Sequence, residues 1–445
     1  MLETEGLQLL ETALNRLGQD SRQLPAFHTE TDHERIGDIL NDVADRLKGD
    51  FPYPHPLYAG QMMKPPHPVA RLAYSLTQWI NPNNHSPDGG RTSSALEREA
   101  VADIAGMFGW EIHQGHLCSS GTIANLEALW IAARLRPGKT LLASGLAHYT
   151  HSRISRLLGV TFDPVPVDAN GKMELKAVQR RVERGDVGTL VVTLGTTGTG
   201  SLDPLPELLA LKQSHDLRIH VDAAYGGYFT LVKGMKPGQR EIFDALKHVD
   251  SIVIDPHKHG LQPYGCSCVL FRDPDIGPLY LHESPYTYPG SDQPLLGEIS
   301  LECSRPGAAA VALWATQKLL PLHRGGEFSR GLACSMHAAQ KLYDRLQGHP
   351  GYLTIFPPEL DIVVWAPRGH SASSISQQSQ QLLRSAAEEN LYLSLVDLPA
   401  SLVSAHWPEV TFDQNSVTCL RSCLMKPEHL DWGDAIWNIL HRARG

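Results

Sequence analysis

Lys258 stands in the run Asp255-Pro256-His257-Lys258-His259, directly after the apolar stretch Ser251-Ile252-Val253-Ile254. Upstream, Asp222 closes a second short stretch, Arg218-Ile219-His220-Val221, and Ala223-Ala224-Tyr225-Gly226-Gly227 follow it. A lysine at one strand end and an aspartate at another are the two groups that pyridoxal phosphate requires. The amine forms a Schiff base with the aldehyde, and the carboxylate keeps the pyridine nitrogen protonated so that the ring accepts electrons. Most lysines are solvated surface charges, and an aspartate after a strand is commonly a turn or a helix cap. Here the ammonium follows an aliphatic strand and sits between two histidines, costly surroundings for an idle charge. Partial desolvation there would depress the lysine pKa and make it a competent nucleophile. The small residues after Asp222 leave room for a flat ring, to which the carboxylate would form a charge-assisted hydrogen bond.

Further candidates surround this pair. Ser119-Ser120-Gly121-Thr122 opens a helix, where N–H groups and hydroxyls suit a phosphate, although such clusters more often simply cap. Thr193 begins a Gly/Thr loop running to Gly200 that has neither the GxGxxG order nor GK[ST], which argues against a nucleotide. His148 follows another apolar run. Tyr286 and Tyr288 lie in the turn-rich stretch His282 to Gln293, a candidate lid whose tyrosine could give a proton to a carbanion. Arg305 begins a helix and could hold a carboxylate bidentately. Gln61, in Tyr58-Ala59-Gly60-Gln61, could meet a distal carboxylate of a substrate, or be an ordinary loop residue.

The elements that must position these residues alternate. Helices are expected over Ile123–Leu135, Ser152–Leu158, Glu174–Glu183 and Leu205–Ser214, and strands over Thr140–Ala143, Val160–Val167, Thr189–Leu194 and Leu217–Val221. That alternation implies right-handed crossovers and a mostly parallel sheet with helices on both faces. Ligands then gather at the strands' carboxyl ends, where Thr193, Asp222 and Lys258 fall. Ser94 and Glu97 have capping-box spacing ahead of Leu96, Ala100, Ile104 and Phe108, and predict a helix from Ser94. Three parts are expected: an amphipathic helical segment over 1–50, a large α/β domain over 51–325 entered through a proline-rich arm, and a smaller α+β domain over 326–445. Strands are expected in the last at Leu360–Trp365, Leu391–Leu395 and Ser416–Met425.

The 445 residues carry a net charge of -9, which argues against nucleic acid and acidic membranes as partners. The acidic start Met1-Leu2-Glu3-Thr4-Glu5 has no signal-peptide pattern, and a cytoplasmic location is expected. Seven cysteines and 22 histidines show no zinc-ligand spacing, so no metal is expected.

Four segments together resemble the group II pyridoxal-phosphate-dependent amino-acid decarboxylases, which include the aromatic-amino-acid, glutamate and histidine enzymes and the archaeal tyrosine/aspartate enzymes. They are His220–Gly227 (HVDAAYGG), the DPHK run ending at Lys258, LGTTGTGSLDPL from Leu194, and SSGTIANLEAL from Ser119. The resemblance is good over roughly residues 50 to 325. It implies a type I, aspartate-aminotransferase-like fold and a homodimer with active sites at the subunit interface, wrapped by the N-terminal helices. It implies Lys258 as the Schiff-base lysine, Asp222 on the pyridine nitrogen, His148 stacked on the ring and Ala224 packed beneath it. Thr193 matches the threonine near the ring; Gly121, Thr122 and His257 match phosphate-site positions. Ile123 and His259 depart from the usual residues, and Ser304-Arg305-Pro306-Gly307 looks archaeal. The implied reaction is α-decarboxylation of an acidic or aromatic amino acid to CO2 and a primary amine through a quinonoid. An aldehyde-forming decarboxylase, a carbon–carbon lyase, a transaminase and a catalytically silent binding protein are the alternatives.

Overall fold

The computed structural model describes residues 4–19, 25, 30–281 and 295–444. Seven strands make the main sheet: β1 (Gln114–Cys118), β2 (Thr140–Ser144), β3 (Phe162–Val165), β4 (Val187–Thr193), β5 (Arg218–Asp222), β6 (Ser251–Ile254) and β7 (Ser267–Phe271). Their order is β1-β7-β6-β5-β4-β2-β3. Strands β2 to β6 pair in parallel, whereas β7 runs against both β6 and β1. Every residue of β2, β4, β6 and β7 is buried. A sheet covered on both faces requires this, and it explains why Leu190–Val192 and Ile252–Ile254 are apolar without alternation. Each such side chain contributes roughly 1.5–3 kcal/mol by leaving water, so a few of them anchor a strand.

The four helices expected between these strands form at Gly121–Leu135, Thr150–Leu158, Leu175–Val182 and Leu205–Ser214. The start expected at Ser94 does not. The helix there runs Pro87–Met107, with a break at Gly90 and Ser86 at its N-cap, and Pro87 suits the first helical position. Ser94 Oγ has no partner, and Glu97 turns away from capping because it pairs with the buried guanidinium of Arg305.

A second sheet is antiparallel throughout: β8 (Tyr352–Thr354), β9 (Ile362–Pro367), β10 (Ser394–Pro399) and β11 (Ser416–Cys423), in the order β10-β11-β9-β8. The polar stretch from Ser371 enters a helix, Ala372–Glu388, whose N-cap is Ser371. The strand expected from Leu391 begins only at Ser394. Asn390 stands at φ 62°, and Tyr392 is taken up by the arm: Ala59 N donates to Tyr392 O at 2.8 Å, and Tyr392 N to Leu57 O at 2.9 Å. The arm thereby ties residues 57–59 to the second sheet.

At the N-terminus, helices Thr4–Leu17 and His33–Leu47 bury none of their residues. Leu9, Ile39, Leu40 and Leu47 are each more than half exposed. Among the described residues no helix is long and apolar enough to cross a membrane.

Candidate active site

The carboxyl ends of β1, β2, β4, β5 and β6 open on one pocket. It is lined by Ser119, Gly121, Thr122, His148, Thr193, Asp222, Ala224, His257 and Lys258, together with Asn125, Tyr149, Thr197, Asp255 and Tyr264. All eight residues assigned to the cofactor from sequence therefore meet in one place, although more than 130 positions separate the first from the last.

Asp222 ends β5 with its carboxylate buried. Its Oδ2 lies 2.9 Å from His151 Nε2, and its Oδ1 accepts from Ala224 N at 3.1 Å. Burial alone would raise its pKa, but His151, with help from Lys258, outweighs that and holds the group well below the usual carboxylate range. The result is a permanent anion aimed into the pocket. Beyond it the chain packs tightly: a Cβ on Gly226 would stand 2.3 Å from Leu194 O, so only glycine lets these two loops approach.

Lys258 differs from the expectation. Burial pushes its pKa down, as the sequence suggested, but Asp255 and then Asp222 more than offset it and hold the amine above its ordinary value. Its Nζ lies 3.0 Å from Asp255 Oδ2, and its side chain is 22% exposed. Burial lowers the pKa of His148 and that of His257. His148 lies face-tilted on Tyr149, with ring centroids 4.3 Å apart, and His257 Nδ1 donates to Cys266 O at 2.6 Å.

The phosphate end is built by the helix Gly121–Leu135. Its N-cap Ser120 accepts from Ile123 N, and Thr122 Oγ1 meets Thr150 Oγ1 at 3.2 Å. Thr193 N is fixed by Asp203 Oδ2 at 2.8 Å, while the buried Thr193 Oγ1 has no partner. An amine, a fixed carboxylate, an unpartnered hydroxyl and a helix N-terminus in one pocket fit the aldehyde, ring nitrogen, ring substituent and phosphate of pyridoxal phosphate.

Two expected substrate residues lie elsewhere. Arg305 is buried away from the pocket, with its Nη1 on Glu97 Oε1 at 2.5 Å and on Leu117 O at 2.7 Å. A guanidinium already neutralised in the core is not available to a substrate. Gln61 does not line the pocket; its Oε1 accepts from Arg421 Nη2 at 3.1 Å. Tyr286 and Tyr288 lie outside the described residues.

Sequence reading missed His151 and Arg421. His151 stands three residues after His148, in the first turn of the helix Thr150–Leu158, so spacing could have found it. Arg421, on β11, carried no signal. It is 6% exposed and, like Gln61, does not itself line the pocket; among the described residues its donors meet the neutral oxygens Ser394 Oγ, Gln61 Oε1 and the carbonyl of Thr197, which is a pocket residue.

The pyridoxal-dependent decarboxylase conserved domain matches residues 19–365. Among curated proteins, the L-tyrosine decarboxylase of Levilactobacillus brevis is 25% identical over 434 residues, covering 75% of this chain and 69% of that protein. The L-aspartate decarboxylase of Thermococcus kodakarensis is 29% identical over 332 residues, covering 73% and 83%. Among solved structures, mouse CSAD in its apo form aligns over 100% of this chain and 92% of its own, with a TM-score of 0.77 at 20% identity. Oryza sativa TDC with PLP and tryptamine aligns over 96% and 91%, with a TM-score of 0.78 at 16% identity. These neighbours share the fold, and the type I architecture read from the sequence holds. With the matched domain and the pocket in agreement, the chain belongs to the pyridoxal-dependent decarboxylase family, amino-acid carboxy-lyases whose cofactor is pyridoxal phosphate.

Proposed function

We propose that the protein removes the α-carboxyl group of an L-amino acid as CO2 and releases the primary amine, with tyrosine and aspartate as the first candidate substrates. The observation that carries this reading is the convergence of Lys258 and Asp222 on one pocket at adjoining strand ends. The relatives named for tyrosine and aspartate decarboxylation support the two candidates.

Bound in the pocket, the cofactor supplies an electron sink for the pair left when the Cα–carboxylate bond breaks. Lys258 Nζ would hold its aldehyde. Asp222, kept ionised by His151, holds the proton on the ring nitrogen. His148 and Ala224 would flank the ring, and Gly121, Thr122 and His257 would receive the phosphate. Arg421 would hold the substrate carboxylate, since a buried guanidinium whose acceptors among the described residues are neutral has a full charge left to pair. A proton returns to Cα from Lys258 Nζ or from Tyr286 or Tyr288.

The active unit is a homodimer, in which a second copy covers the exposed apolar faces of helices Thr4–Leu17 and His33–Leu47. A cytoplasmic setting suits a chain without a spanning helix among its described residues. The test is to load the purified protein with pyridoxal phosphate, reduce with borohydride, and find the label on Lys258. Each proteinogenic amino acid is then screened for CO2 and amine. Label on another residue, or aldehyde and ammonia in place of amine, would refute the assignment.

A further inference from the structure

Asp255 is the first residue beyond β6, and it is 2% exposed. Its carboxylate is pinned on several sides. Ser267 Oγ donates to Oδ1 at 2.5 Å, and Lys258 Nζ lies 3.0 Å from Oδ2, with His257 Nε2 at 3.5 Å. Gly121 presses against it so closely that a Cβ there would stand 2.7 Å from Oδ2. The other carboxylate near Nζ, Asp222, is already engaged by His151 and Ala224 N. Of the two, Asp255 is the one that touches the lysine.

We propose that Asp255 is the resting partner of Lys258 within the catalytic cycle: whenever Nζ is not bonded to the cofactor, Asp255 holds it as an ammonium beside the reacting carbon, and that ammonium returns the proton to Cα. This rests on the decarboxylase reading above and names which group completes it. The protons balance. The substrate nitrogen bonds to the cofactor carbon as the carbon–Nζ bond breaks, and the two protons that the substrate ammonium gives up both pass to Nζ. The Cα–carboxylate pair stays behind as CO2 leaves, and Cα then takes a proton from Nζ. The neutral Nζ re-forms its bond as the product amine departs.

The charged and titratable groups facing Nζ are Asp255 from the β6 end, Asp222 from β5, His148 beyond β2, Tyr264, and the neighbours His257 and His259. Asp255 is the largest favourable influence on the ammonium among them, so its neutralisation must lower the lysine's affinity for a proton.

The test is Asp255→Asn, which keeps the size of the side chain. In the holoenzyme the alkaline limb of kcat against pH should move down by about one unit or more, with kcat on that limb falling about tenfold and KM changing less than about twofold. In the full chain stripped of cofactor, the pH midpoint for acetylation of Lys258 by acetic anhydride, read by peptide mass spectrometry, should fall by a similar amount. This second measurement holds even if the variant loads cofactor poorly. Superimposable pH profiles and acetylation midpoints in the two proteins would overturn the role of Asp255. Absence of borohydride-fixed cofactor on Lys258 in the unmodified protein would instead overturn the decarboxylase reading.

Discussion

Arg421 illustrates how much a single buried charge reveals. Arg305 and Arg421 are almost equally buried, at 5% and 6% exposure. Arg305 has Glu97 and is satisfied in the core, whereas Arg421 has two neutral side chains and a carbonyl. A guanidinium kept in this way beside a pocket is poised for an incoming anion. Arg421→Met should therefore raise KM by roughly 30-fold or more, the effect of truncating a buried charge partner, about 2–5 kcal/mol. The colour of the bound cofactor should be unchanged, because Asp222, His151 and Lys258 are untouched. Steady-state kinetics beside an absorbance spectrum checks both halves of this expectation.

At the scale of elements, the loop after β5 is joined to the second sheet by one carboxylate. Asp361, directly ahead of β9, accepts from Tyr225 Oη at 2.6 Å, and its other oxygen lies 3.3 Å from His259 Nε2. Tyr225 follows Asp222 by three residues, so Asp361 braces the loop after β5, and it lies beside His259, which follows Lys258 directly. Its pKa is pushed up to about 6 by burial, against the opposing pull of Tyr225 and Lys64. A carboxyl whose pKa is raised on folding destabilises the fold as pH rises from its ordinary value of 3.8 to about 6, because the unfolded chain ionises first. Asp361→Asn removes that titration while leaving an oxygen for Tyr225. Relative to the parent, the variant should gain stability between about pH 4 and pH 7, by up to about 3 kcal/mol. Denaturant titrations across that range measure it, and a pH-independent difference would show that folding leaves the pKa of this carboxyl unshifted.

For the whole molecule, the feature that matters is the apolar surface left on the two N-terminal helices. Leu40 and Val43 are 61% and 44% exposed on a helix that buries nothing of itself. In the homodimer proposed above, such a face would form part of the interface. Charges placed there would be desolvated on association, at a cost of several kcal/mol. Leu40→Glu combined with Val43→Glu should thus weaken dimerisation by about a hundredfold or more, seen by sedimentation. The fold of each subunit should survive, since both sites are exposed within it. Retention of the parent's association constant would mean that the dimer uses another surface.

How much of this was legible in advance depends on the reach of the forces involved. The sequence alone carried the crossover architecture, the strand ends at Thr193, Asp222 and Ile254, and the pairing of Lys258 with Asp222. Those features follow from hydrophobic period and from side-chain chemistry, both encoded within a few neighbouring residues. Even so, it misplaced the helix start at Ser94 and the beginning of β10. There a distant ion pair and a distant backbone partner outcompeted the local signal. Only tertiary structure decided that Asp255 and Asp222 together outweigh desolvation at the Lys258 amine, that His151 keeps Asp222 ionised, and that Arg305 is spent on Glu97 while Arg421 reaches the pocket residue Thr197. Each of those outcomes is an electrostatic contact within a few ångströms, and three of the four pairings involved join residues far apart in the chain; Asp255 and Lys258, three residues apart, meet across the turn after β6, where Lys258 N donates to Asp255 O at 2.9 Å.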